Sequence, residues 1–374
     1  MLSALHALLN WSVYGIPAFL FLITMVVFFH ELGHFAVARL FNVRVETFSI
    51  GFGPAIVKWT DRKGTLWKIS WIPLGGYVRF FGDADGASTP DRAAAARMTA
   101  REREVAFPYK PLWQRALVVV AGPLANFALA IVILSAMFMI MGRAVIPPVV
   151  SAVVPHSAAE AAGIKAGDRI VAIDGSRIDS FEQILQVVSI SAGQQLPIVL
   201  DRNGRELTVF AAPRDADIKD QFGNKMRVGQ LGITTKAQRI WVHLNPLQSV
   251  GAAFAEVGEI VSVTFRSREQ LLRGNTSQLS GPVGIMKLSG QIAAVSLIAL
   301  IQLVALLSVS IGLVNLFPIP LLDGGHLLYY AFEGVLGRPL GERAQDVGFR
   351  VGLAVVLGIF ILATWNDLVR LNLF

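Results

Sequence analysis

"VVFFHELGHF", residues 26–35, is the stretch on which the fold turns. It overlaps a run of fifteen residues without a charge, Gly15–Phe29, and then sets His30, Glu31 and His34 into the same apolar segment. On a helix, residues i and i+4 share a face, so His30 and His34 present two imidazoles to one point. Ionisable groups cost about 2.5–3.5 kcal/mol at mid-membrane on insertion scales, so inside a span they signal function. Neutral imidazoles suit zinc. Glu31, beside the first ligand, is placed to take a proton from water.

Working outward, composition agrees with a membrane protein that carries water-soluble parts. The chain has 374 residues, 54% hydrophobic and 16% charged, with a mean hydropathy of +0.57. The formal net charge of +7 is concentrated enough in one loop to have a topological meaning, and nucleic acid is not an expected partner. The absence of cysteine excludes disulfides, thiolate metal sites and a cysteine nucleophile. Residues 1–13 contain no Lys or Arg, so a cleaved signal peptide is not expected.

Four segments are long enough to span a bilayer: Tyr14–Leu40, Ala116–Gly142, Ile292–Phe317 and Val347–Trp365. The segment from Phe41 to Leu112 carries eleven Lys or Arg residues, which the positive-inside rule puts in the cytoplasm. Both termini and residues 143–291 then lie outside. Four regions follow. Residues 1–142 hold two spans with a cytoplasmic-side hairpin and loop, 143–235 a small domain, 236–291 an amphipathic helix and connector, and 292–374 the last two spans.

In the outer region, alternating apolar residues and Gly-rich turns read as strands. The sequence Ala162-Gly163-Ile164-Lys165-Ala166-Gly167-Asp168-Arg169-Ile170 resembles the PDZ domains of bacterial membrane-associated proteases. A helix over Phe181–Ser189 and strands over Leu196–Asp201 and Glu206–Ala211 would complete it. Beyond it, Val250, Phe254, Val257, Val261 and Phe265 recur at helical spacing from Asn245-Pro246 to Leu272, an amphipathic helix expected to lie on the small domain or on the membrane surface.

A catalytic zinc takes three protein ligands. Traced through the spans, the third ends on the same side as the motif, where "VNLFPIPLLDGGHLLYY", residues 314–330, offers Asp323 as the first charge after Lys287. Pro318 and Pro320 stop regular helix, and Asp323-Gly324-Gly325 reads as a turn. His326 is a competing ligand, ranked below Asp323.

These segments resemble the site-2 protease family, and within it the bacterial RseP type. The resemblance rests on His30-Glu31-Leu32-Gly33-His34, on Asn315-Leu316-Phe317-Pro318-Ile319-Pro320-Leu321-Leu322-Asp323-Gly324, and on landmarks along nearly the whole chain. The landmarks are Gly51-Phe52-Gly53, Pro73-Leu74-Gly75-Gly76-Tyr77-Val78, Lys110-Pro111-Leu112-Trp113-Gln114-Arg115, Ala121-Gly122-Pro123-Leu124-Ala125-Asn126 and Gly281-Pro282-Val283-Gly284. One departure is that better-known members carry two tandem PDZ domains, and the outer region here has room for one.

The resemblance implies a polytopic α-helical membrane protein with four transmembrane helices, a membrane-associated β-hairpin and one extracytoplasmic PDZ domain. It implies an intramembrane metalloprotease with Zn2+ held by His30, His34 and Asp323, and Glu31 as catalytic base. Single-pass membrane proteins would be its substrates, such as anti-sigma factors or remnant signal peptides, usually after a cut by a preceding site-1-type protease. Asn315, Gly51, Phe52, Gly53 and Asn126 carry over as substrate-binding residues, with helix packing the alternative for Asn126. Lys110, Trp113 and Arg115 fit an interfacial anchor. Competing classes are a proton or metal transporter and an inactive PDZ scaffold.

Overall fold

The computed structural model describes residues 14–83, 97–219, 225–272 and 281–370. Residues 1–13, expected to lie outside, and most of the polar stretch 83–103 are not among the described residues. The chain forms two compact units, residues 1–136 with 246–374, and residues 137–245.

In the first unit, four helices have the length and composition to cross a membrane: Ile16–Leu40, Leu112–Met141, Leu297–Asn315 and Arg343–Val369. Helix α1 (Ile16–Leu40) starts with Pro17 in its first turn and ends where Asn42, at φ 54°, turns the chain out. Its Ala18, Leu22 and Val26 bury against Leu129 of α2 (Leu112–Met141) and against Leu300, Leu303 and Val304. Its C-terminal half packs on the sheet that follows, through Ala38, Val45, Phe48 and Val78.

That sheet is built from two long strands, β1 (Val45–Thr60) and β2 (Leu66–Phe80). Their register makes more than a simple hairpin. Residues 45–50 face 76–80 on one side and 66–69 on the other, and 66–69 also faces 57–60. Gly51 and Gly53, both at φ 85°, allow the break in β1 that this folding-back needs.

The span expected over Ile292–Phe317 is divided. Ser296 leaves helical geometry and its hydroxyl accepts from the N–H of Ala299, so the chain forms a short helix before Ser296 and a membrane-length helix after it. The amphipathic helix at Pro246–Leu272, α3, is present. Ser249, Ala253 and Val257 are buried, while Val250, Phe254 and Phe265 are exposed. α3 packs beside the helix at Leu297–Asn315. Downstream of it lie α4 (Pro282–Val295), α5 (Leu297–Asn315), α6 (Asp323–Leu336) and α7 (Glu342–Arg370). The Gly281-Pro282-Val283-Gly284 run opens α4, and Asp367 of α7 accepts the N–H of Gly284 at 2.7 Å.

The second unit is β-rich. A four-stranded sheet has the order Ser176–Arg177, Arg169–Ile173, Leu196–Arg202, Arg205–Ala211. A helix, Phe181–Ile190, covers it, capped by a reciprocal Ser180–Gln183 box. Ile170, Ile173, Ile184, Ile198 and Leu200 form its core.

Candidate metal centre

Helix α1 sets His30 and His34 one turn apart, and α6 brings Asp323 to them. The Nε2 atoms of the two histidines lie 3.2 Å apart. Asp323 Oδ2 is 3.1 Å from His30 Nε2 and 3.5 Å from His34 Nε2. Among the described residues this trio is the group of side chains arranged to hold a metal ion.

Whether zinc fits is a matter of distance and donor chemistry. Tetrahedral zinc with bonds of about 2.0–2.1 Å sets its ligand atoms about 3.3 Å apart, and the three observed separations bracket that edge. Asp323 Oδ2 is buried and has no hydrogen-bond donor, an arrangement costly for a carboxylate unless a cation meets it. His34 Nδ1 lies 2.8 Å from the carbonyl oxygen of Val118. A carbonyl only accepts, so Nδ1 carries the hydrogen and Nε2 keeps its lone pair for a metal. The residues present fit the ion.

Helix α2 supplies the wall behind them. Pro123 lies inside α2, where it removes the helical donor of the Val119 carbonyl. Gly122 leaves the space that the His34 imidazole fills, and a Cβ there would overlap the ring. Gly33 plays the reciprocal part, its Cα facing the Ala121 carbonyl with no room for a methyl group. The motif glycine and the Ala121-Gly122-Pro123 run are thus two sides of one close helix contact.

The ligand aspartate corrects an expectation. Asp323-Gly324-Gly325 is not a turn but the first turn of α6. Both glycines are buried and helical because carbonyls of Leu316, Phe317 and Ile319 press on them, so they serve close approach rather than chain reversal. The reversal is earlier, where Leu321 adopts φ 104°, a strained conformation for a branched side chain. Arg115 also differs from its anchor reading. It pairs with both carboxylate oxygens of Glu333 (3.2 and 2.5 Å) and lies over the Tyr330 ring, tying α6 to the start of α2.

Glu31 follows the first histidine and meets the sheet. Its carboxylate accepts the backbone N–H of Val78, and its Cγ lies against Gly76, where an added Cβ would be 3.2 Å away. Phe52, half exposed between Gly51 and Gly53, stacks with Tyr77 at 6.1 Å. Asn315 is the last residue of α5, partly buried, eight residues before Asp323. Asn126 is fully buried on α2, with its carboxamide 3.3 Å from His30 Nδ1. His326 lies one turn beyond Asp323 and is not in the trio. Sequence reasoning did not find the Val118 carbonyl, Gly122 or Glu333 in these roles.

Comparison with known proteins adds an independent line. A model of peptidase family M50 matches residues 18–359. The candidate zinc metalloprotease Atu1380 of Agrobacterium fabrum is 45% identical over 360 residues, covering 95% of each chain. Metalloprotease MmpA of Caulobacter vibrioides is 39% identical over 379 residues, again 95% of each chain. Among solved structures, the PDZ domain of the SdrC-like protein from Listeria monocytogenes is 21% identical, covering 23% of this chain and 83% of its own at a TM-score of 0.18.

Proposed function

The chain belongs to peptidase family M50, the site-2 proteases, and from that premise we propose that it cleaves peptide bonds within or near transmembrane segments of single-pass membrane proteins. The observation that carries the reading is the trio of ligand atoms at tetrahedral spacing, two of them on a membrane-length helix. His30, His34 and Asp323 would hold zinc, which when bound supplies Lewis-acid polarisation and acidifies water toward a pKa of about 7.

The chain's own residues do the rest. Glu31 takes the proton as water attacks the scissile carbonyl and delivers it to the leaving amine. The Val78 N–H holds the Glu31 carboxylate in place for both transfers. His34, keeping its hydrogen on the Val118 carbonyl, stays in one orientation throughout.

A transmembrane helix must unwind before its peptide bonds are reachable. Among the described residues, 76–80 pairs with 45–50 and offers its other edge, at Glu31, to an extended substrate segment added as a strand. Asn315 and Gly51-Phe52-Gly53 are the substrate contacts of this scheme. Loop charge supports the site facing the cytoplasm, with both termini and a PDZ-like unit in the periplasm. That unit would admit substrates such as anti-sigma factors or remnant signal peptides after another protease has trimmed them.

The test is cleavage of a tagged single-pass substrate, its outer domain removed, by purified protein in detergent. Cleavage by wild type alone, lost with Glu31→Gln or a zinc chelator, is expected. Equal cleavage in all three samples would sink the assignment.

A further inference from the structure

We infer that Asn126 is a positioning residue that fixes the tautomer of His30, an inference that rests on the metal reading above. Neutral imidazole carries one N–H. If Nε2 of His30 is the ligand atom, the hydrogen sits on Nδ1 and needs an acceptor. The group at Nδ1 is the Asn126 carboxamide, whose nitrogen lies 3.3 Å away while its oxygen, also buried, has no hydrogen-bond partner. An amide nitrogen donates and does not accept. Half a turn about the Cβ–Cγ bond exchanges the two ends within the same envelope. The oxygen then accepts from Nδ1–H, which gives that hydrogen the acceptor it needs.

His34 shows the same solution with a backbone group. Val118, whose carbonyl accepts from His34 Nδ1, and Asn126 are eight residues apart on α2 and so lie on one face, with Gly122 between them making room for the His34 ring. Asn126 is itself held from α5. The Ser308 hydroxyl donates to its backbone carbonyl at 3.0 Å, and Gly312 faces its Cβ, where an added methyl would lie 3.1 Å away. One stripe of α2 thus orients both imidazoles, once through a main-chain oxygen and once through a side chain. Only the second can be removed by substitution.

The experiment uses the full chain purified in detergent. Zinc affinity is measured by competition with a chromophoric chelator, and coordination is read from the visible spectrum of the cobalt-substituted protein. Asn126→Leu, of similar size but without an acceptor, is expected to weaken zinc binding about 10–100-fold and to alter the cobalt spectrum. Asn126→Asp, which keeps the oxygen, is expected to restore affinity to within a few-fold of wild type. A Leu variant with wild-type affinity and spectrum would overturn the inference, as would an Asp variant as weak as the Leu one. Wild-type protein that takes up no zinc, or zinc that His30→Ala leaves in place, would overturn the metal reading and this inference with it.

Discussion

Two aspartates, one in each unit, are opposites in how their charge is met. Asp168, in the β-rich unit, is 1% exposed and fully partnered. Arg202 donates to both of its oxygens at 2.7 Å, and the Lys165 N–H adds a third bond at 2.7 Å. Asp323, in the helical unit, points Oδ2 at two imidazole nitrogens with no donor satisfying it. Both stand beside glycine in the sequence, and both could pass for turn residues. A satisfied buried carboxylate holds a fold together. An unsatisfied one, with two imidazoles at ligand distance, is arranged to meet something that arrives.

The contrast is sharpest under substitution. Glu31→Gln is expected to lower substrate cleavage about 10³-fold, within the usual range for a general base, while zinc content measured by atomic absorption stays at wild-type level. Asp323→Ala is expected to lose zinc and cleavage together yet keep wild-type helix content by circular dichroism. Unfolding of that variant would place Asp323 with Asp168 and erase the distinction. Gly122→Ala, which crowds the ring of the ligand His34 while leaving all three ligand side chains in the sequence, should weaken zinc binding about 10–100-fold.

In the other unit the expected losses are structural. Asp168→Ala should raise the rate at which a protease nicks residues 137–245 of the intact chain by about tenfold, since it leaves the Arg202 guanidinium and the Lys165 N–H without their acceptor. Zinc content should not move. The smallest effect is in pH. Hydrogen bonds from Arg202, aided by the Lys165 N–H and opposed by burial, hold the Asp168 carboxyl below the usual carboxylate range. Its contribution is therefore complete above the unfolded value of about 3.9 and fades as pH falls through the lower folded value. Protease resistance of this unit should decline below about pH 4 in wild type and show less of that decline in Asp168→Ala.

Much of this was legible in the residues alone. Uninterrupted apolar length marked four spans, because a bilayer demands it locally, and ionisable groups inside one of them pointed to chemistry. Helical periodicity set His30 beside His34. Even the helix at Phe181–Ile190, expected over Phe181–Ser189, followed from capping and periodicity, which act within a few residues.

The rest depends on contacts between segments far apart in the chain, which no local pattern encodes. That Asp323 opens a helix, that Ser249-Ala253-Val257 is the close face of α3, and that Arg115 reaches Glu333 are outcomes of packing. So are the acceptors behind the two imidazoles. Sequence names the groups able to bind a metal, because that is a property of side chains. Tertiary structure alone decides which nitrogen keeps its hydrogen, because that depends on the atom brought up to face it.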